Sequence, residues 1–200
     1  MCCFFGVKGK NKFWNLFCFG HKIVCCNPTA RKIFSVYLAY LINFITQKKW
    51  TAKKSIEALQ FFVTGLTEGA LVHKQQGLIF KSQGFEKLGQ KYIDHFSEEM
   101  AWVEKFTNRI LDLGGEIKFE GAKCRELILN PVDYIKADLK IQEDGVEMLY
   151  KCVETLTGDP TTYDIMKGYL ADEEEDLYWS QNALELIECI GVQNWLVKQL

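Results

Sequence analysis

The chain has 200 residues, 48% of them hydrophobic and 25% charged, which excludes a disordered bulk and bounds it at about one domain, or one domain with an appendage. Its net charge of −2 conceals a split: residues 1–50 hold eight Lys or Arg and no acid, whereas residues 51–200 hold sixteen basic and twenty-six acidic residues. The first fifty also hold eleven aromatics and five of the eight cysteines, so two kinds of sequence meet near Trp50: a basic, aromatic extension (1–50) and a helical domain (51–200).

In the extension, Cys18, His21, Cys25 and Cys26 can be drawn as a zinc site, but their spacing matches no strong zinc signature. Residues 33–46 are uncharged and flanked by Arg31-Lys32 and Lys48-Lys49. The stretch is shorter than the roughly 20 residues that span a bilayer and is misplaced for a secretory signal. Two readings stand. One is membrane-surface contact by residues 31–50. The other, which we prefer, is a poorly ordered extension or translation of sequence upstream of the true start. Cys124, Cys152 and Cys189 are scattered, as expected of reduced thiols in a cytoplasmic protein.

From Thr51 the apolar spacing is helical. A first helix is predicted from Thr51, as N-cap, to about Ser82, with apolar positions Ile56, Leu59, Phe62, Val63, Leu66, Ala70 and Phe80. Gln83-Gly84 breaks it, and a second helix runs to about Leu113, before Gly114-Gly115. Residues 116–130 have no strong period and are long enough to cross a bundle end to end, which makes the next helix parallel to the second. Asn130 and Pro131 open a third helix whose seam (Ile135, Leu139, Gln142, Val146, Leu149, Val153, Leu156) alternates steps of four and three. A fourth opens at Thr161 or Thr162 and runs to Gly191, and a short fifth follows from Val192. The predicted fold is all-α: a four-helix bundle with one long crossover between the second and third helices and a short C-terminal helix.

Polar residues on inward seams are the informative feature. Glu99 lies between Tyr92/Phe96 and Phe106, Glu173 lies between Leu170 and Leu177, and Gln142 interrupts the third seam. A buried carboxylate needs a counter-charge, a proton or a metal. Carboxylates facing one another from several helices, with imidazole, are how bundle cores hold iron or related metals.

From about Leu66 to Leu200 the sequence resembles the bacterioferritins and the wider ferritin-like superfamily. Residues 98–115 (EEMAWVEKFTNRILDLGG) look like the family's second helix, with its E-x-x-H motif. Residues 170–196 (LADEEEDLYWSQNALELIECIGVQNWL) look like its fourth helix and short tail. The stretch TGDPTTYD (157–164) is similar to archaeal ferritin-like proteins related to the starvation-protection family.

Residue by residue, Glu99 matches the glutamate of the first motif, but Trp102 stands at its histidine. Trp102 cannot ligate, and its bulk would fill one iron site. Glu173 matches the second motif's glutamate, with Asp176 at the histidine position. The third helix's glutamate falls on Gln142, with Glu143 beside it. The first helix's glutamate is matched by Glu68 with a two-residue gap in the turn, and by Leu66 without one. The resemblance therefore implies metal ligands drawn from Glu68, Glu99, Gln142, Glu143, Glu173 and Asp176. His95, one turn before Glu99, is available as an imidazole but is read as an interior or interface histidine, and His73 is read as structural. The family's haem methionine falls on Met100, a position that is also Met in ferritins without haem, so no haem is implied.

The resemblance implies iron oxidation, storage and detoxification at a mono- or di-iron site, with oxygen or peroxide as oxidant and ferroxidase activity. It also implies a hollow homo-oligomeric shell. Loss of both motif histidines is the feature that supports the alternative, a non-catalytic shell or structural subunit with a degenerate di-iron site. Nucleic acid is not expected as a partner, because the basic arm is dense with aromatic residues, unlike a solvated phosphate-binding tail.

Overall fold

In a computed structural model the described residues are 17–19, 22–24, 28–121 and 125–200, with side chains from Lys32 onward. The chain divides into two compact units, Met1–Lys49 and Trp50–Leu200. In the first, β1 (Phe17–Phe19) and β2 (Lys22–Val24) form an antiparallel hairpin with Cys18 opposite Ile23. The side chains of Cys18, His21, Cys25 and Cys26 lie outside the described residues.

Helix α1 runs Pro28–Ser82, so the helix predicted from Thr51 begins 23 residues earlier. The reason is local: no proline or glycine lies between Pro28 and Gly65, and Thr51 is a helical interior residue rather than a cap. Most apolar side chains of its first part are exposed, Ile33, Val36, Tyr37, Tyr40 and Phe44 among them. No described helix is long and apolar enough to cross a membrane.

The second unit is a bundle of the remainder of α1 with α2 (Glu86–Asp112), α3 (Pro131–Glu154), α4 (Pro160–Ile190) and the short α5 (Val192–Val197). Gly84, at φ +90°, turns the chain between α1 and α2. Beside that turn Gly77 and Gly89 let the two backbones touch: a Cβ on Gly77 would lie 2.7 Å from the Gly89 carbonyl oxygen. Asn130 caps α3 by accepting from Val132 N–H (2.9 Å) and Asp133 N–H (3.2 Å), with Pro131 in the first turn. The fourth helix starts at Pro160 with Asp159 as its cap, slightly before the expected threonines.

Two apolar cores stack along the bundle. One gathers Leu59, Leu66, Phe106, Val146, Leu149 and Met166, and the other gathers Phe80, Leu88, Val132, Ile135, Ala183 and Trp195. Following each helix between these cores gives the topology. Helices α1 and α4 run from the first core to the second, while α2 and α3 both run from the second to the first. The parallel pair α2/α3 requires the crossover predicted for residues 116–130.

The crossover is tied along α1 by side chains whose spacing carries no periodic signal. Gln60 donates to the Lys118 carbonyl (2.8 Å) and accepts from its N–H (2.9 Å). Gln76 donates to the Ile128 carbonyl, and Gln83 to that of Leu129 at 2.9 Å. Helix α5 buries Trp195 in the second core, and the backbone N–H of Lys87 donates to the Gln199 carbonyl at 2.9 Å.

At the other end Asp159 collects four donors. Its oxygens accept from Ser55 Oγ (2.9 Å), Thr162 Oγ1 (2.6 Å), Thr162 N–H (3.3 Å) and Arg109 Nη2 (2.7 Å). Burial would raise the Asp159 carboxyl's pKa, but these bonds and the guanidinium outweigh it and hold it below the usual range. Asp159→Ala should therefore destabilise the protein by about 2–4 kcal/mol in urea denaturation near neutral pH. A depressed pKa gives stability that is present above the unfolded value and lost in acid, so the gap between variant and wild type should close as pH falls.

Candidate metal centre

Between the two apolar cores lies a polar layer to which every long helix of the bundle contributes. Helix α1 supplies Glu68 and His73, α2 supplies His95 and Glu99, α3 supplies Asp138 and Gln142, and α4 supplies Glu173 and Asp176. His73, His95, Glu99, Asp138 and Gln142 are all buried. The helical period explains the sharing: on α2 and α3 the polar pairs are four residues apart and so stack on one inward face.

His73 is the hinge of the layer. Its Nδ1 lies 2.8 Å from Glu99 Oε2 and its Nε2 lies 3.1 Å from Asp138 Oδ1. The His95 ring stacks on it at 4.4 Å between centroids, 18° from parallel. His95 Nε2 in turn lies 2.9 Å from Asp176 Oδ2, and the other Asp176 oxygen lies 3.2 Å from Lys91 Nζ. Gln142 Nε2 donates to Asp138 Oδ2 at 3.4 Å, while its buried Oε1 has no hydrogen-bond partner. One ligand atom each from His73, His95 and Glu99 lie within 4.8 Å of one another, a spacing that could hold a metal ion.

The electrostatics follow from burial against pairing. Burial alone would lower the pKa of His73, but hydrogen bonds to Asp138 and Glu99 and their charges outweigh it and push it up to about 10. His95 is also raised: burial and the charge of His73 oppose this, and Asp176 prevails. Burial raises the Glu173 carboxyl to about 7, with the nearby Glu99 charge adding to it and the Tyr169 hydroxyl opposing. Asp176 is lowered because His95 and Lys91 outweigh its burial.

The six residues singled out from the sequence fare differently. Glu99 is at the centre of the cluster, and Glu173 and Asp176 line it from α4. Glu68 sits partly buried in an ion pair with Arg125 Nη2 at 2.7 Å. Gln142 is in the layer, with its amide turned to Asp138. Glu143 is exposed and stands outside the cluster, because one residue further on the helix rotates about 100° away from the seam.

Three participants carry too little sequence signal. His73 and His95 read from the sequence as structural or interior histidines, yet they neutralise Glu99 and Asp176. Asp138 belongs to no motif, although it stands one turn before Gln142 on the same seam. Trp102, where the motif histidine would be, donates its indole N–H to Asp172 Oδ2 at 2.7 Å and packs on Phe106 and Tyr169 with centroids 5.9 and 5.5 Å away.

A ferritin-like domain profile matches residues 56–190. The chain belongs to the ferritin-like family. Among its relatives it is 31% identical over 151 residues to the bacterial ferritin of Neisseria meningitidis serogroup B, covering 72% of this chain and 97% of that one. It is 26% identical to a bacterioferritin of Streptomyces coelicolor over 145 residues, 70% of this chain and 87% of the relative. Among solved structures, Mycobacterium tuberculosis bacterioferritin shares the fold, with a TM-score of 0.69 at 21% identity over 72% of this chain and 92% of that one.

The histidine network sets a pH dependence for the metal-free protein. A raised imidazole pKa contributes stability that is fully present below about pH 6.5 and lost as pH rises toward 10. The raised Glu173 acts in the same direction, its cost building from pH 4.5 to about 7. Thermal unfolding of metal-free protein should lose on the order of a few kcal/mol between pH 6 and 10, and His73→Gln should flatten that slope.

Proposed function

We propose that this protein is a ferritin-like iron-binding protein that oxidises, stores and detoxifies iron in the cytoplasm. The carrying observation is the mid-bundle layer in which four helices bring carboxylates and imidazoles together around Glu99. Hard oxygen donors with imidazole suit iron among the common divalent metals. The relatives named bacterial ferritin and bacterioferritin support the same reading. Ferrous iron is the substrate: each ion gives up one electron, and two ions supply the pair that, with two protons, reduces one oxygen to peroxide or one peroxide to two waters. The protein's part is to gather the cation in an acidic, water-poor layer and fix its donors.

The alternative of a degenerate, non-catalytic site rests on the loss of both motif histidines. With His73 and His95 in the layer, imidazole is present again from other positions. Iron must displace the protons that these rings carry, so uptake releases protons. Ferric product passes to the interior of a homo-oligomeric shell in this reading.

Anaerobic protein mixed with ferrous iron and oxygen in a stopped-flow instrument should show a saturable fast oxidation phase. Glu99→Gln should slow it by about 100-fold or more. A wild type that oxidises iron no faster than buffer would refute ferroxidase activity. Native mass spectrometry of the same sample should show the multi-subunit assembly with iron bound.

The exposed apolar side chains between Lys32 and Lys49 support a second contact, with an anionic membrane surface through residues 31–50. The full chain should sediment with phosphatidylserine vesicles and be released by raised salt. Recovery in the supernatant at low salt would exclude it.

A further inference from the structure

Resting on the iron-binding reading above, we propose that Trp102 is an electron donor built into the bundle, which gives hydrogen peroxide its second electron when a single ferrous ion supplies the first. The function this adds is suppression of hydroxyl radical. One ferrous ion and one peroxide by themselves yield ferric ion, hydroxide and a hydroxyl radical. With Trp102 taking part, one peroxide, one ferrous ion, one indole and one proton become one ferric ion, one neutral indolyl radical and two waters. The O–O bond breaks, and iron and indole each lose one electron. The two oxygens take up two protons, the indole releases one, and solvent supplies the balance.

The surroundings of the indole suit that step. Trp102 stands one turn after Glu99 on α2, about 4.5 Å further along the helix axis, so the ring borders the polar layer. Its N–H donates to Asp172 Oδ2 at 2.7 Å, and Asp172 is half-buried, so water reaches it. Removing an electron from an indole makes its N–H strongly acidic, and this hydrogen bond is the way out for the proton. Lys105 Nζ lies 4.3 Å from the ring centroid. An ammonium there is attracted by the electron-rich neutral ring and repels a ring cation. The oxidised ring is therefore held as the neutral radical, with its proton passed to Asp172.

The opposing helix makes room for the ring. Gly168 on α4 faces it, and a Cβ there would lie 3.3 Å from Trp102 Cη2. Phe106 and Tyr169, both buried, pack on it with centroids 5.9 and 5.5 Å away and shield it on the inner side. Any large apolar ring would serve for packing alone. The carboxylate on the N–H and the ammonium over the face give this one a proton path and a fixed charge state. Trp179 provides the contrast: it packs on Tyr92 at 6.2 Å and lies under Lys91 Nζ at 4.4 Å, but its indole nitrogen makes no such bond among the described residues.

The test mixes the anaerobic full chain, carrying ferrous iron, with hydrogen peroxide, freezes the mixture within milliseconds and reads it by electron paramagnetic resonance. The expected result is an organic radical whose spectrum narrows when the protein is made with ring-deuterated tryptophan. Trp102→Phe should abolish that signal and raise the yield of hydroxyl-radical spin adduct, while ferric ion still forms. Trp102→Tyr, which keeps a polar-tipped ring in the gap, guards against misfolding and should exchange the indolyl signal for a phenoxyl one. Trp179→Phe should leave the signal unchanged. Iron oxidised by the wild type without any indolyl radical, or an indolyl radical that survives Trp102→Phe, would overturn the donor and leave the iron-binding reading standing. No iron bound or oxidised by the wild type would defeat both.

Discussion

Charge buried between two apolar cores governs this molecule. Glu99 and Asp138 are buried outright, with Asp176 and Glu173 close by. Carboxylates removed from water cost several kcal/mol each unless something compensates them. Here the compensation is specific. His73 lies between Glu99 and Asp138, His95 and Lys91 hold Asp176, and Arg125 holds Glu68. The layer is near charge balance without any metal, so the bundle can bury these acids by itself.

That balance has a chemical consequence. The imidazoles that neutralise the acids from inside are also candidate donors to a cation in the proposed function. Metal binding in such a layer would displace the protons that its imidazoles carry. Trp102, Phe106 and Tyr169 pack together at the next level, bounding the layer on one side with aromatic rings.

The crossover segment belongs to the same design. Lacking helical period, it is held to α1 by Gln60, Gln76 and Gln83, whose amides bond its backbone. The strap brings Arg125 over Glu68. It thereby gives the acid that the first helix offers at that level a counter-charge.

The helices, their order and the long crossover were legible in the sequence, because apolar spacing, Gly84, Gly114 and the Asn130-Pro131 cap are local signals that act within a few residues. The start of α1 was not, for a related reason: a change of composition at Trp50 is not a helix stop, and no breaker stands between Pro28 and that tryptophan. Glu99, Glu173 and Asp176 could be picked out as polar residues on apolar seams. Their partners could not. Whether His73 meets Glu99 and Asp138, or Asp176 meets His95 and Lys91, depends on the axial register of helices separated by tens of residues. Packing of the two cores sets that register. The sequence by itself determined which faces turn inward, and the tertiary structure alone decided which charges share that interior, because a buried ion pair forms only where long-range packing brings both partners to the same depth.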